Sequence, residues 1–291
     1  MKPDLHTKPL VPHGWLRAML FVLVYFMLLI TAGILATRYN AHAVTGATTL
    51  VNNPGKAYLP LIINAALGLA TVWLFRKLVD RRPVSSLGLS LAGNAVHGGT
   101  GFFLGIFLLC AGSCILYVTG SLEWTDVRFS GNDLFLSFGL MAIVAFSEEI
   151  VFRGYVLQNL AASLPGWIAL VVSALLFTIA HLSNPELTVT GTCTIFLTGV
   201  LFGINYLFTR NLWFAIMLHF TWNFVQGPLL GFPVSGLPME GLLQHSVTGN
   251  SLINGGNFGF EGSLVAVLLS AATIPVLVLI YRHNARQSTE G

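Results

Sequence analysis

The sequence predicts an all-α, polytopic membrane protein with about eight transmembrane helices and a polar site buried in the helix bundle. Three observations carry this. Of 291 residues, 55% are hydrophobic and 9% charged, with a mean hydropathy of +0.77; globular domains average about 25% charged. The apolar residues gather into runs long enough to span, or nearly span, a bilayer. A few acids, histidines and one arginine interrupt these runs, although a charge at the bilayer centre costs roughly 2.5–3.5 kcal/mol even on the mildest insertion scale.

In chain order, the first run, 15–37, is too long for a signal-peptide core. It reads as an uncleaved span, although Ala41-His42-Ala43 resembles a small-residue cleavage site. The second covers 57–75. The third, 96–119, contains Gly101-x-x-x-Gly105, and the sixth, 190–208, contains Gly199-x-x-x-Gly203; both read as close helix packing within one chain. The fourth, 134–159, carries Ser147-Glu148-Glu149-Ile150-Val151-Phe152-Arg153. The fifth, 167–181, is short for a span and ends at His181. The seventh, 212–230, carries His219 and Asn223. The eighth, 262–281, contains Pro275, which predicts a kink. Between runs, Asp80-Arg81-Arg82-Pro83 reads as a polar cytoplasmic turn. The stretch 231–259, rich in Gly, Ser and Asn and lacking Lys and Arg, reads as an outside loop, partly ordered at best. The chain is taken as a single integral membrane domain, 1–291, with a motif-bearing core at about 131–227.

Charge placement orients the chain. With a cytoplasmic N-terminus, the inside segments hold Lys2, Lys8, Arg17, Arg76, Lys77, Arg81, Arg82, Arg210, Arg282 and Arg286; the outside segments hold Arg38, Lys56 and Arg128. The positive-inside rule then puts both termini in the cytoplasm of a multi-pass protein. The membrane would be a bacterial inner membrane or a eukaryotic endoplasmic reticulum, depending on source. A net charge of +3 spread over short loops gives no reason to expect nucleic acid. The partners expected are membrane lipid and a membrane-associated or lipidated protein or peptide. Cys110, Cys114 and Cys193 all lie in apolar runs, form no CxxC, and read as buried free thiols.

The interrupting residues have a pattern. An α-helix turns about 100° per residue, so Glu149 and Arg153 share a face and can neutralise each other. Glu148 points about 100° away from Glu149, without a local partner. It is therefore the carboxylate available for chemistry, with Glu149–Arg153 as support. His219 and Asn223 are again four apart on one face, and His181 arrives from another helix. A desolvated Glu is fit to act as general base for a water molecule. Asn or His can donate to a developing oxyanion. Together they suit amide hydrolysis by activated water, and no GxSxG elbow argues for an acyl-enzyme. Phe177 reads as plain packing. A different class remains open: a non-proteolytic membrane factor, or a proton- or ion-coupled transporter using the same buried charges, although no internal repeat supports a transporter.

Glu148-Glu149-x-x-x-Arg153, Phe177-x-x-x-His181 and His219-x-x-x-Asn223 resemble the three motifs of the CPBP family. That family comprises the type II CAAX prenyl proteases and the bacterial Abi-type and bacteriocin-processing relatives. The resemblance covers roughly 131–227 and implies an eight-span intramembrane endopeptidase. In it Glu148 and His181 would activate water, His219 and Asn223 would stabilise the oxyanion, and Glu149 and Arg153 would hold the site together. No cofactor is expected. The alternative is a zinc triad of Glu148, His181 and His219, for which no HExxH helix speaks.

Overall fold

The computed structural model describes residues 8–39 and 54–290. Lys2 and the Ala41-His42-Ala43 sequence lie outside the described residues. Each of the eight apolar runs forms a helix: α1 (Gly14–Tyr39), α2 (Pro54–Phe75), α3 (Ala95–Val118), α4 (Gly131–Glu149), α5 (Gly166–Ala180), α6 (Val189–Thr209), α7 (Trp213–Phe224) and α8 (Leu264–Glu290). Among the described residues, six helical segments are long and apolar enough to cross a bilayer: Gly14–Leu35, Leu59–Asp80, Ala95–Val118, Gly131–Ala161, Val189–Thr209 and Leu264–Gln287. The helices α5 and α7 are shorter. The chain is an integral, polytopic helical membrane protein. Its surface suits lipid. Leu23, Met27, Phe103, Phe107, Phe135 and Leu279 all face outward, at no cost where the surroundings are as apolar as they are.

The glycine pairs do what their spacing predicts. A Cβ at Gly101 would collide with the Phe214 carbonyl, and one at Gly105 with Thr221, so α3 lies tight against α7. Gly199 and Gly203 bring α6 against Ala174 and Leu170 of α5. The cysteines depart from expectation: all three are free, but none is buried. A thiol behaves as a small apolar group, and in these helices the apolar solvent is outside the bundle.

Two more departures concern the loops. Strands β1 (Leu122–Val127) and β2 (Leu243–Val247) pair antiparallel, Leu122 opposite Val247, adding a small sheet to an otherwise helical chain. The stretch 231–259 is not a loose loop. Phe232 and Phe258 from it, with Phe260 just beyond, are almost wholly buried, and they fold it down onto the bundle. Glycine makes this possible at Gly259, where φ is +91° and a Cβ would strike the Pro233 carbonyl.

At the end of the bundle near Arg17 lies a buried polar clamp. Arg17 Nε is 3.2 Å from Asp80 Oδ1, and Arg76 Nη1 is 2.9 Å from Asp80 Oδ2. Tyr155 Oη and Asn159 Nδ2 donate to the same carboxylate at 3.2 and 3.4 Å. Arg81 and Arg82 are exposed, as a polar turn requires, but Asp80 is buried. It belongs to the core because two arginines need it there. Arg76–Asp80 is itself a π-helical turn, and a longer π-helical stretch, Ile150–Leu157, follows α4 directly.

Candidate active site

The last turn of α4 presents Ser147, Glu148 and Glu149. From there the helix widens into π form, a distortion often found at functional sites. The predicted ion pair survives the change: Arg153 Nη1 donates to Glu149 Oε1 at 2.7 Å, both side chains fully buried. Arg153 Nη2 donates to the Gly199 carbonyl on α6 at 3.0 Å.

His181 caps the C-terminus of α5. Its Nδ1 lies 2.8 Å from the Phe177 carbonyl oxygen. A carbonyl only accepts, so Nδ1 carries the proton and Nε2 is the free nitrogen. His219, on α7, has its Nδ1 2.8 Å from Glu149 Oε1, which again directs Nε2 outward from that bond. Both free nitrogens face one atom. Glu148 Oε2 is 3.8 Å from His181 Nε2 and 3.9 Å from His219 Nε2. It has no hydrogen-bond partner among the described residues. Three helices thus converge on a single unfilled acceptor. The surrounding cavity, about 140 Å³, is also lined by Asn223, one turn beyond His219. All the residues singled out from the sequence are therefore together: Glu148, His181, His219 and Asn223 around the cavity, Glu149 and Arg153 behind it.

Two roles change. Glu149 does not simply turn away to pair with Arg153; it also holds His219. Phe177 is more than packing. The Arg153 guanidinium lies 4.4 Å from the Phe177 ring and 5.3 Å from that of Phe202, a cation between two aromatic faces. Phe202 in turn stacks on His219, centroids 4.9 Å apart at 22°. No spacing rule could have found Phe202, which lies on α6 between the motif-bearing helices.

Sequence reasoning also missed Tyr25 and Asn64, which line the cavity from α1 and α2 and share a 2.7 Å hydrogen bond. It missed Ser235 and Glu261 as well. A smaller cavity, about 20 Å³, adjoins the two histidines and is bounded by Asn223, Ser235 and Glu261. It is large enough for one water molecule. Burial pushes the Glu261 carboxyl above the usual carboxylate range, while its bonds to Ser235 and Trp222 and the nearby His181 pull it back.

Glu148 Oε2 and the two imidazole nitrogens suit a bridging water. Ligands of a tetrahedral zinc at about 2.0–2.2 Å would stand roughly 3.3–3.6 Å from one another, closer than the 3.8 and 3.9 Å seen here. Among the described residues, no group of three His, Cys, Asp or Glu has the arrangement to hold a metal ion.

The fold and the site together define a class: a polytopic membrane protein with an acid–histidine centre enclosed by its helices. Residues 130–225, about a third of the chain, match the family model described as type II CAAX prenyl endopeptidase Rce1-like, and this supports the CAAX-protease and bacteriocin-processing (CPBP) family that the motifs resemble. No curated protein and no solved structure matches the chain.

Proposed function

We propose that this protein is an intramembrane endopeptidase that hydrolyses a peptide bond in a membrane-associated or lipidated protein or peptide. The observation that carries the reading is the convergence of two imidazole Nε2 atoms on the unpartnered Glu148 Oε2 inside a buried cavity. A water held between them would give one proton to Glu148, the general base, with its other proton oriented by His181; the proton on Glu148 would then pass to the departing amine as the C–N bond breaks. Attack on the scissile carbonyl develops an oxyanion. His219 and Asn223, sharing one face of α7, would donate to it. Donation by His219 through Nε2 while its Nδ1 bonds Glu149 would require both ring nitrogens to carry a proton in that step. The chemistry is read as needing no metal.

The experiment uses the full chain in detergent with a quenched fluorescent peptide ending in a farnesylated Cys-aliphatic-aliphatic-X tail, the substrate type named in the matched family's description. Cleavage by wild type and its loss in Glu148→Gln, with folding intact, is the expected outcome. Equal activity of the two ends the assignment. The orientation is read as both termini in the cytoplasm. Reporters fused at residue 85 and at the C-terminus should score as cytoplasmic, and one near Gly249 as outside. A C-terminus on the outer side would overturn this arrangement.

A further inference from the structure

Glu261 lies outside the family-matched region, in the short 3₁₀ turn before α8. Buried carboxylates are costly unless fully bonded, and this one is. Oε1 accepts from Trp222 Nε1 at 3.0 Å; Oε2 accepts from Ser235 N at 2.7 Å and Ser235 Oγ at 3.1 Å. Ser235 is no ordinary partner. Val234 and Leu237 exchange backbone hydrogen bonds across a two-residue turn, 2.9 Å each way. Both central residues have positive φ, Ser235 at 50° and Gly236 at 80°, as in a type I′ turn. Glycine takes this conformation freely and serine does not, so something must hold Ser235 there. Glu261 bonds both its N–H and its hydroxyl. On its other side the turn is wedged against the loop after His181, since a Cβ at Gly236 would strike the Pro185 carbonyl. Val234, Ser235 and Leu237 line the same cavity as Glu148.

We propose that Glu261 is a positioning residue of the active site, which fixes the Ser235–Gly236 turn as the substrate-facing wall of the catalytic cavity. This rests on the endopeptidase reading. The wall it fixes is apolar apart from Ser235, and so selects an extended substrate segment with uncharged side chains beside the scissile bond. None of the three hydrogen bonds of Glu261 goes to Glu148, His181, His219 or Asn223. The His181 ring is anchored by the Phe177 carbonyl, and that of His219 by Glu149. Its loss should therefore damage substrate binding and spare the chemical step.

The test compares wild type, Glu261→Gln, Glu261→Asp and Ser235→Ala, full chain in detergent, on the farnesylated peptide. Hydrogen exchange of the 234–237 amides is measured in parallel. An amide at position 261 must turn an N–H toward one of its present donors. KM in Glu261→Gln should rise roughly tenfold or more, the scale of losing charge-assisted bonds to a buried group, with kcat within about threefold. Ser235→Ala, which keeps the backbone bond, should show a smaller rise, and Glu261→Asp should recover part of the loss. A fall in kcat at unchanged KM would overturn the proposal. If Glu261→Gln does not fold, an unchanged KM in Ser235→Ala overturns it instead. If wild type cleaves no peptide, the endopeptidase reading fails by itself. Hydrogen exchange then decides on Glu261: faster exchange at 234–237 in the variants supports the anchoring role, and unchanged exchange removes it.

Discussion

Two buried carboxylates, Asp80 and Glu148, sit in the same bundle in opposite conditions. Asp80 is saturated: Arg17 and Tyr155 reach one oxygen, Arg76 and Asn159 the other. Glu148 Oε2 has two imidazole nitrogens just beyond bonding distance and, among the described residues, no partner within it. Both clusters use an Arg and an acid four residues apart, and both lie at a π-helical turn. Chemical composition therefore does not separate a clamp from a reaction centre. What separates Asp80 from Glu148 is unfilled acceptor capacity that opens onto a cavity; Glu149 Oε2 is also unpartnered among the described residues, but Glu149 does not line that cavity. A carboxylate with every acceptor site occupied ties helices together, whereas one with free capacity can bind and deprotonate a water.

The largest expected effects set these two against each other. Glu148→Gln should lower peptidase activity by about 10²–10⁴-fold, the typical worth of a general base, while its thermal unfolding in detergent stays within a degree or two of wild type. Asp80→Ala should do the reverse. It strands Arg17 and Arg76, and breaking such a buried pair costs about 3–5 kcal/mol. Denaturation should show that loss, with activity per folded molecule retained. If Asp80→Ala instead abolished activity in protein that remained folded, the two clusters would not be separable as described.

Glu149→Gln should fall between them. Arg153 loses its counter-charge between two aromatic rings, and His219 loses a charged acceptor. Activity should drop about tenfold to a hundredfold and unfolding should come earlier, because one residue serves both purposes. A variant as stable as wild type would show that the Gly199 carbonyl and the rings suffice for Arg153. The smallest effect should come from metal removal. Activity after dialysis against chelator should equal that before, with metal content measured in parallel. Stoichiometric zinc, with activity lost on removal and restored on re-addition, would transfer the role of Glu148 from base to ligand.

Much of this was legible in sequence because it depends on local spacing. The apolar runs gave the eight helices, and the four-residue intervals gave Glu149–Arg153 and the shared face of His219 and Asn223. What was not legible depends on contacts between elements. Nothing local says that Glu149 reaches His219, seventy residues on, or that Phe202 closes the far side of Arg153. The burial of Phe232 and Phe258 was hidden because a Gly-, Ser- and Asn-rich stretch reads as loop whether or not it packs. Glu261 was hidden for a related reason. A lone acid beside an apolar run resembles a solvated loop charge until Trp222 and Ser235 are seen to close over it. Of the eight helices, α5 and α7 fall short of full span length among the described residues because they end early, one at His181 and the other in a π turn.

The π-helical stretch after Glu149 takes more residues per turn than the α-helix it extends, so everything downstream is out of phase with a continuous helix. Arg153, inside the stretch, looks toward Glu149 and the Gly199 carbonyl of α6; Tyr155 and Asn159 look toward Asp80. The stretch acts as a rotary coupling, setting the angle at which the proposed reaction centre meets the clamp. Removing a single residue between 150 and 152 would turn the downstream helix by about 100°, and both constellations would lose alignment together although each kept all its own side chains. An alanine at any one of these positions would leave that phase unchanged, so a substitution scan would pass over the stretch and a deletion scan would find it.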